Sequence, residues 1–285
     1  ACAHHPKTFP PLFSNMLRAG EASGAMVEVL RRLGEHYERD DNMRGKIKSA
    51  LTYPVIVLCF GVLAVIGALV WIIPQFQKVF DSMGASLPLP TLILIGMSDA
   101  LVHYGWLMAI GVAAFVVWFR KWKTTEAGVR KIDGWKLKAP LIKGIVAAGA
   151  YSSLAYTLKT LLTNGVNVLQ ALKICEETCG NAVIGDALKT ARQRVTDGTT
   201  ISGPLASSGV FPRMMTDMLA VGEQAGDMPA SLEHIGKRYQ KDMDRNITSF
   251  TNALEPILIV AIAGAVGFVA IAILMAVFKV SSSLG

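Results

Sequence analysis

The sequence predicts an all-α polytopic membrane protein, with three transmembrane helices set between polar helical bundles and built from a duplicated module. Three observations carry this prediction. Long stretches contain no Asp, Glu, Lys or Arg, one string of residues recurs at a constant offset, and no run of alternating β-branched residues supports a sheet. The 285-residue chain is 52% hydrophobic and only 17% charged, against about 25% charged for a soluble domain.

Phe9-Pro10 followed by Gly20-Glu21-Ala22-Ser23-Gly24 returns as Phe211-Pro212 followed by Gly222-Glu223-Gln224-Ala225-Gly226, shifted by 202 positions. The shift holds through Met16/Met218, Leu17/Leu219, Met26/Met228, Leu30/Leu232, Gly34/Gly236, Tyr37/Tyr239 and Asp40/Asp242. It ends at Pro54/Pro256, and both prolines open an apolar run. A repeat of this length is a duplicated module, polar helices leading into a span, rather than one unit of a solenoid. Carried back by 202 positions, Ala148 falls ahead of Ala1. The register therefore predicts a first module that lacks its first half, and a natural chain longer by at least about 60 residues.

Residues 1–53 read as the C-terminal part of a first cytoplasmic helical domain. Pro10–Ala19 is a short helix broken at Gly20, and Ser23 or Gly24 caps the next one. Met26, Leu30, Leu33 and Tyr37 form that helix's apolar stripe, with His36 expected in solvent. The first span is 54–73 and a loop follows over 74–100. The second span, 101–119, holds no Asp, Glu, Lys or Arg and has only His103 as a basic side chain within its apolar run. The third span, 255–278, contains the 23 uncharged residues Pro256–Phe278, where about 20 suffice to cross a bilayer. Between the last two spans, 120–254 is a second cytoplasmic helical bundle. Its helices are Ala148–Thr163, about Val168–Thr178 and about Val183–Thr196, then a polar turn Thr199–Gly203 before Pro204, and two helices around Gly222. Asp227 caps the last of these, with Pro229 in its first turn. Residues 279–285 form a short tail.

Charge sets the expected orientation. Arg39, Arg44, Lys46 and Lys48 precede the first span and Arg120, Lys121 and Lys123 follow the second, whereas 74–103 holds Lys78 alone among cations. Cytoplasmic flanks are rich in Lys and Arg, so the N-terminus and 120–254 are expected in the cytoplasm, and the loop and C-terminus in the periplasm. The net charge of +7 is then mostly membrane-flank charge, and no basic stripe with interleaved aromatics points to nucleic acid.

Enzyme signatures are absent: there is no phosphate loop, nucleophile elbow or His-Glu-x-x-His, and no cofactor motif. Cys175 and Cys179 share a helix face without a second Cys/His pair, which makes them small buried hydrophobes rather than metal thiolates. The candidate site residues are structural in kind. Gly20, Glu21 and Gly24 with Gly222, Glu223 and Gly226 form a paired junction whose carboxylate either caps the next helix or meets a partner. Tyr53-Pro54 and Glu255-Pro256 mark the membrane entrance, with Pro256 read as a first-turn proline although the helix before it is expected to continue straight into the third span. Ala64 and Ala68, and Ala261, Gly264 and Ala265, are small-residue positions where membrane helices can approach closely.

These elements resemble the GspF/PilC family of inner-membrane platform proteins of type II secretion and type IV pilus systems. The resemblance rests on the paired Phe-Pro and Gly-Glu-x-Ser/Ala-Gly strings and on Lys46–Pro54 entering the first span. Pro74-Gln75-Phe76, Leu87-Pro88, Thr160-Leu161-Leu162 with Gly165-Val166, and Glu255-Pro256 extend it over nearly the whole chain. Asn167 departs from a common proline. The resemblance implies a non-enzymatic scaffold in the bacterial inner membrane. It would couple a cytoplasmic assembly ATPase to assembly of pilins or pseudopilins, alongside other platform subunits and further copies of itself in the lipid bilayer. The competing reading is a membrane transporter or channel component. Against it, the duplicated part is mostly outside the spans, and no Asp, Glu, Lys or Arg lies inside their apolar runs.

Overall fold

A computed structural model describes residues 9–77, 88–196 and 200–283. Among these residues every regular element is helical. The helices are α1 (Pro11–Ser23), α2 (Met26–Gly67), α3 (Leu89–Lys123), α4 (Glu126–Lys138) and α5 (Lys143–Thr163). They continue with α6 (Val168–Thr178), α7 (Ala182–Thr196), α8 (Ser202–Ser207), α9 (Arg213–Ala225) and α10 (Met228–Ser283). The chain divides into two compact units, one of residues 1–48 and 125–250, the other of 49–124 and 251–285.

In the first unit the polar segments from both copies of the repeat fold as one body. Its centre is α5, which buries Leu154, Ala155, Leu158 and Leu161. The apolar length of α5 is therefore core-facing. It ends where the sequence predicts, at Asn164, with Gly165 in the left-handed region at φ 75°. Asn167 starts α6 by accepting from Leu169 N at 2.9 Å, so the departure from proline replaces one helix-starting residue by another. Asn181 starts α7 the same way, accepting from Val183 N at 3.0 Å and Ile184 N at 3.3 Å. Asp133 adds a second acceptor at that terminus, taking Ala182 N at 3.1 Å. Helix α4 was not among the predicted elements. It begins with the Thr125 hydroxyl accepting from Gly128 N at 3.2 Å, and it meets α5 at a 111° corner.

Several local expectations are corrected. Helix α1 does not break at Gly20 but runs to Ser23, because the residue that leaves the right-handed region is Gly24, at φ 71°. The expected turn at Thr199–Gly203 becomes helix from Ser202 onward, and Pro204 sits in its first turn, where a missing N–H is harmless. On α2 the buried stripe is Val29, Leu33, His36 and Met43, not the one through Leu30, which is 46% exposed. His36 is thus buried, contrary to expectation, and its ring stands edge-on to Tyr37 at 5.7 Å.

The second unit contains the apolar parts of α2, α3 and α10. Its core is Leu69, Ile73, Leu94 and Ala272. Helix α2 passes into a π-helical turn at Ala68–Ile72. There the hydroxyl of Ser98 on α3 donates to Leu69 O at 2.5 Å, while that of Thr91 donates to Ala272 O at 2.8 Å. Both hydroxyls are buried, and each finds a backbone carbonyl on a neighbouring helix. Helix α3 starts at Leu89, within the segment assigned to the loop, whose residues 78–87 lie outside the described residues. Three helices, Met26–Gln77, Leu89–Lys123 and Met228–Lys279, are long and apolar enough to cross a membrane.

Candidate functional site

The paired junction is a helical hairpin built twice. In each copy a glycine in the last two turns of the first helix lets the second helix approach. A Cβ on Gly222 would lie 2.6 Å from Ser231 Oγ, and one on Gly20 would lie 3.1 Å from Val29 Cγ2. Ser231 and Val29 are themselves 202 positions apart, so the close approach is part of the repeat. Gly226, at φ 70°, then reverses the chain. Gly226 N donates to Glu223 O at 3.3 Å and Asp227 N to Gly222 O at 3.0 Å, which together satisfy the end of α9. The Asp227 side chain caps α10 as predicted, accepting from Ala230 N at 3.1 Å.

The two glutamates occupy equivalent places in the last turn of their helices, and among the described residues only Glu223 is hydrogen-bonded. The Glu223 carboxylate reaches back to the start of α8. It accepts from Ser202 N at 3.2 Å and, through shorter contacts, from Ile201 N and the Ser202 hydroxyl. It therefore caps a helix, but a different one from the helix that follows it in sequence. The three donors meet a negative charge at the positive end of α8. Ser202, which the sequence reading placed in a turn, is the missing partner; the polar string before Pro204 was its only signal. Glu21 is exposed and makes no hydrogen bond to another described residue.

The first-copy hairpin is held on the second-copy bundle by its own contacts within the first unit. Met16 is fully buried. Asn164 Nδ2 lies 3.8 Å from its sulfur, and Gln170 Nε2 donates to Asn15 Oδ1 at 3.0 Å. Arg39 places its guanidinium 3.9 Å from the ring centroid of Tyr156. Arg32 donates to Thr163 O at 3.4 Å, bringing a cation to the C-terminal end of α5. Lys46 and Asp244 pair at 2.7 Å near the ends of the polar parts of α2 and α10. None of these pairings lies within one copy, so periodicity alone did not reveal them.

At the membrane entrance the helix before Pro256 runs on into the third span as expected, so that proline does not stand in a first turn. Pro54 and Pro256 lie inside continuous helices, each 28 residues beyond the helix's first residue. Interior proline removes a helical hydrogen bond and crowds the preceding turn, so each copy gives up one backbone hydrogen bond at the start of its apolar run. Tyr53 and Glu255 are exposed beside them, Pro54 is buried and Pro256 exposed. Among the small-residue positions, Ala64, Ala261 and Gly264 are outward, while Ala68 and Ala265 are half-buried. The tightest approach is instead at Gly61, where a Cβ would lie 2.7 Å from Ile262 Cδ1.

Titratable groups in the first unit serve packing. Burial lowers the His36 pKa, with smaller opposing effects of Asp40 and Arg39. Burial also raises both members of the tyrosine pair, pushing Tyr239 up to about 12 with help from Tyr151 and Asp242. Burial keeps the Cys175 and Cys179 thiols protonated, and Cys179 donates weakly to Asn181 O at 3.3 Å. They are core residues. Among the described residues no cluster of His, Cys, Asp and Glu is placed to hold a metal.

Comparison with known proteins gives a consistent result. Residues 1–74 and 154–276 match the family described as type II secretion system (T2SS), protein F. The two matched segments end 202 positions apart, the offset of the repeat. The chain is 35% identical over 280 residues to type IV pilus assembly protein PilC of Thermus thermophilus, covering 98% of this chain and 69% of that protein. It is 33% identical to PilC of Myxococcus xanthus over 287 residues, covering 100% and 68%. With type II secretion system protein F of Aeromonas hydrophila it shares 32% identity over 279 residues, covering 97% and 71%.

Proposed function

From the premise that this chain belongs to the type II secretion system protein F family, a family of multi-pass membrane proteins of secretion and pilus assembly, we propose that it is the platform of a filament-assembly machine. In this reading it couples a cytoplasmic assembly ATPase to the insertion of pilins or pseudopilins at the filament base. The observation that carries the proposal is the division of labour in the chain. One compact unit is a polar helical body made from both copies of the repeat, and the other is three apolar helices without a charged residue in their cores. A scaffold needs a soluble face for a motor and an uncharged bilayer face for an apolar subunit. An ion-coupled transporter needs ionisable groups at mid-membrane.

The orientation follows the charge asymmetry, with the N-terminus and 125–250 in the cytoplasm and the C-terminus in the periplasm. The protein acts as a homo-oligomer beside other platform subunits, and the interior prolines let the first and third spans yield to the load passed from the first unit. Glu255, exposed at the start of the third apolar run, offers a carboxylate to the positive N-terminus of an incoming pilin.

Photocrosslinkers at exposed positions of the first unit should capture the ATPase encoded with this gene; absence of any ATPase adduct from every face would sink the coupling. Glu255→Gln should block piliation or secretion while leaving membrane insertion intact. Cysteine labelling at Tyr53 and Ser281 from opposite sides of the membrane would test the orientation.

A further inference from the structure

Helix α4 carries a surface that neither the fold of the first unit nor the proposed coupling uses. Lys131, Trp135 and Lys138 recur at i, i+4 and i+7 on its outward face, and Leu141 follows in the turn to α5. Trp135 is 65% exposed and Leu141 60%. Within the first unit Trp135 is the one exposed aromatic among the described residues' large hydrophobics. The charge around it is one-sided. Asp133 is buried and engaged by Lys136 at 2.9 Å and Ala182 N at 3.1 Å, and Arg130 pairs with Asp186 at 3.5 Å. Lys131, Lys138 and Lys143 point outward with no ion pair among the described residues.

The place of this helix in the chain identifies what covers it. Only Thr124 and Thr125 separate Lys123, the last residue of α3, from Glu126. Three residue steps reach at most about 11 Å, so α4 starts close to where the chain leaves the bilayer. The end of α3 bears the marks of a headgroup region. Trp118 and Trp122 stack with centroids 6.3 Å apart, Phe115 and Phe119 lie alongside, and Arg120, Lys121 and Lys123 close the helix. A tethered helix with outward lysines around a tryptophan fits a phospholipid surface, where the indole rests at headgroup level and the lysines meet anionic phosphates.

We propose that the outward face of α4 with its following turn, Lys131, Trp135, Lys138 and Leu141, docks on the anionic phospholipid surface next to the second span. This rests on α3 crossing the membrane and is independent of any ATPase or pilin contact.

The test uses the full chain in phosphatidylcholine vesicles with and without phosphatidylglycerol. Subtracting the emission of Trp135→Phe from wild type isolates Trp135 among the five tryptophans. With phosphatidylglycerol present, the Trp135 emission should be blue-shifted, quenched by lipids brominated near the headgroup and sheltered from aqueous iodide. Lys131→Gln and Lys138→Gln should each lower the docked-to-free ratio about fivefold, with far-UV circular dichroism unchanged. Raising salt on the wild-type chain should reproduce the lysine effect without any substitution. Trp135 open to iodide in both vesicles overturns the proposal. Equal bromolipid quenching without phosphatidylglycerol overturns its anionic part. Shelter that appears only on adding soluble cell extract assigns the face to a protein partner and overturns it as well.

Discussion

The α1–α2 hairpin and the α9–α10 hairpin share one sequence pattern and one local geometry, yet the buried stripe that holds each is shifted by one residue between them. In α9, Met215 and Leu219 are buried, while Met214 is 41% exposed and Val221 62%. Their first-copy counterparts shift the pattern by one residue. Phe13 and Leu17 are half-buried, whereas Leu12, the counterpart of Met214, and Met16 are buried against the second-copy bundle. The glutamates differ likewise, with Glu223 capping α8 and Glu21 in solvent. The repeat thus encodes the hairpin, and the surroundings decide which of its residues are buried.

The largest expected contrast tests this shift. Leu12→Ala should cost about 2–5 kcal/mol of stability, as truncations of buried leucine do, and Met214→Ala no more than about 0.5 kcal/mol. Urea unfolding of the detergent-solubilised chain, followed by tryptophan emission, measures both; equal costs would break the comparison. The second contrast uses Gly236, where a Cβ would lie 2.9 Å from the Tyr156 ring, whose hydroxyl is tied to Gln240 at 3.2 Å. Gly236→Ala should cost about 1–3 kcal/mol by overpacking. Its counterpart Gly34 faces open space, so Gly34→Ala should gain up to about 1 kcal/mol from helix propensity.

Next comes the capping pair. Glu223→Gln should lower stability by about 1–2 kcal/mol through loss of charge-assisted bonds to the start of α8. Glu21→Gln should leave stability within about 0.5 kcal/mol. If Glu21→Gln then abolished piliation or secretion in a stable protein, the exposed member of the pair would be the partner contact.

The smallest effect is in pH. His36 is buried where the second copy has exposed Arg238, and burial lowers its pKa from the ordinary 6.5. Below 6.5 the unfolded chain therefore binds a proton that the folded chain resists. The stability contribution of His36 is complete above that pH and is lost as pH falls through the folded value. The pH dependence of melting temperature across this window should flatten in His36→Gln, and an unchanged dependence would show that His36 does not carry it.

Local signals were legible where they were covalent or periodic. The helices that end at Thr163 and Thr178 and the cap at Asp227 stand where the sequence predicts, and the apolar runs after Pro54 and Pro256 became the long helices of the second unit. The stripe on α2 was misread by about one residue, because Leu30 and Val29 are equally apolar and only the partner surface chooses between them. The partner of Glu223 was not legible because Ser202 lies 21 positions earlier, on another helix. Helix α4 was missed because its polar composition hides the period that its buried Asp133 and capping Thr125 reveal in three dimensions.

What the sequence determined by itself is the duplicated module, the three apolar runs and the all-helical class. Each follows from local chemistry: glycine at positive φ, side-chain caps, and uncharged stretches long enough to span a bilayer. What only the tertiary structure decided is which copy of each paired residue is engaged. That choice depends on groups distant in the chain, such as Ser202 beneath Glu223 and Tyr156 beneath Gly236. Two similar strings experience different neighbours, and burial and hydrogen bonding are properties of neighbours.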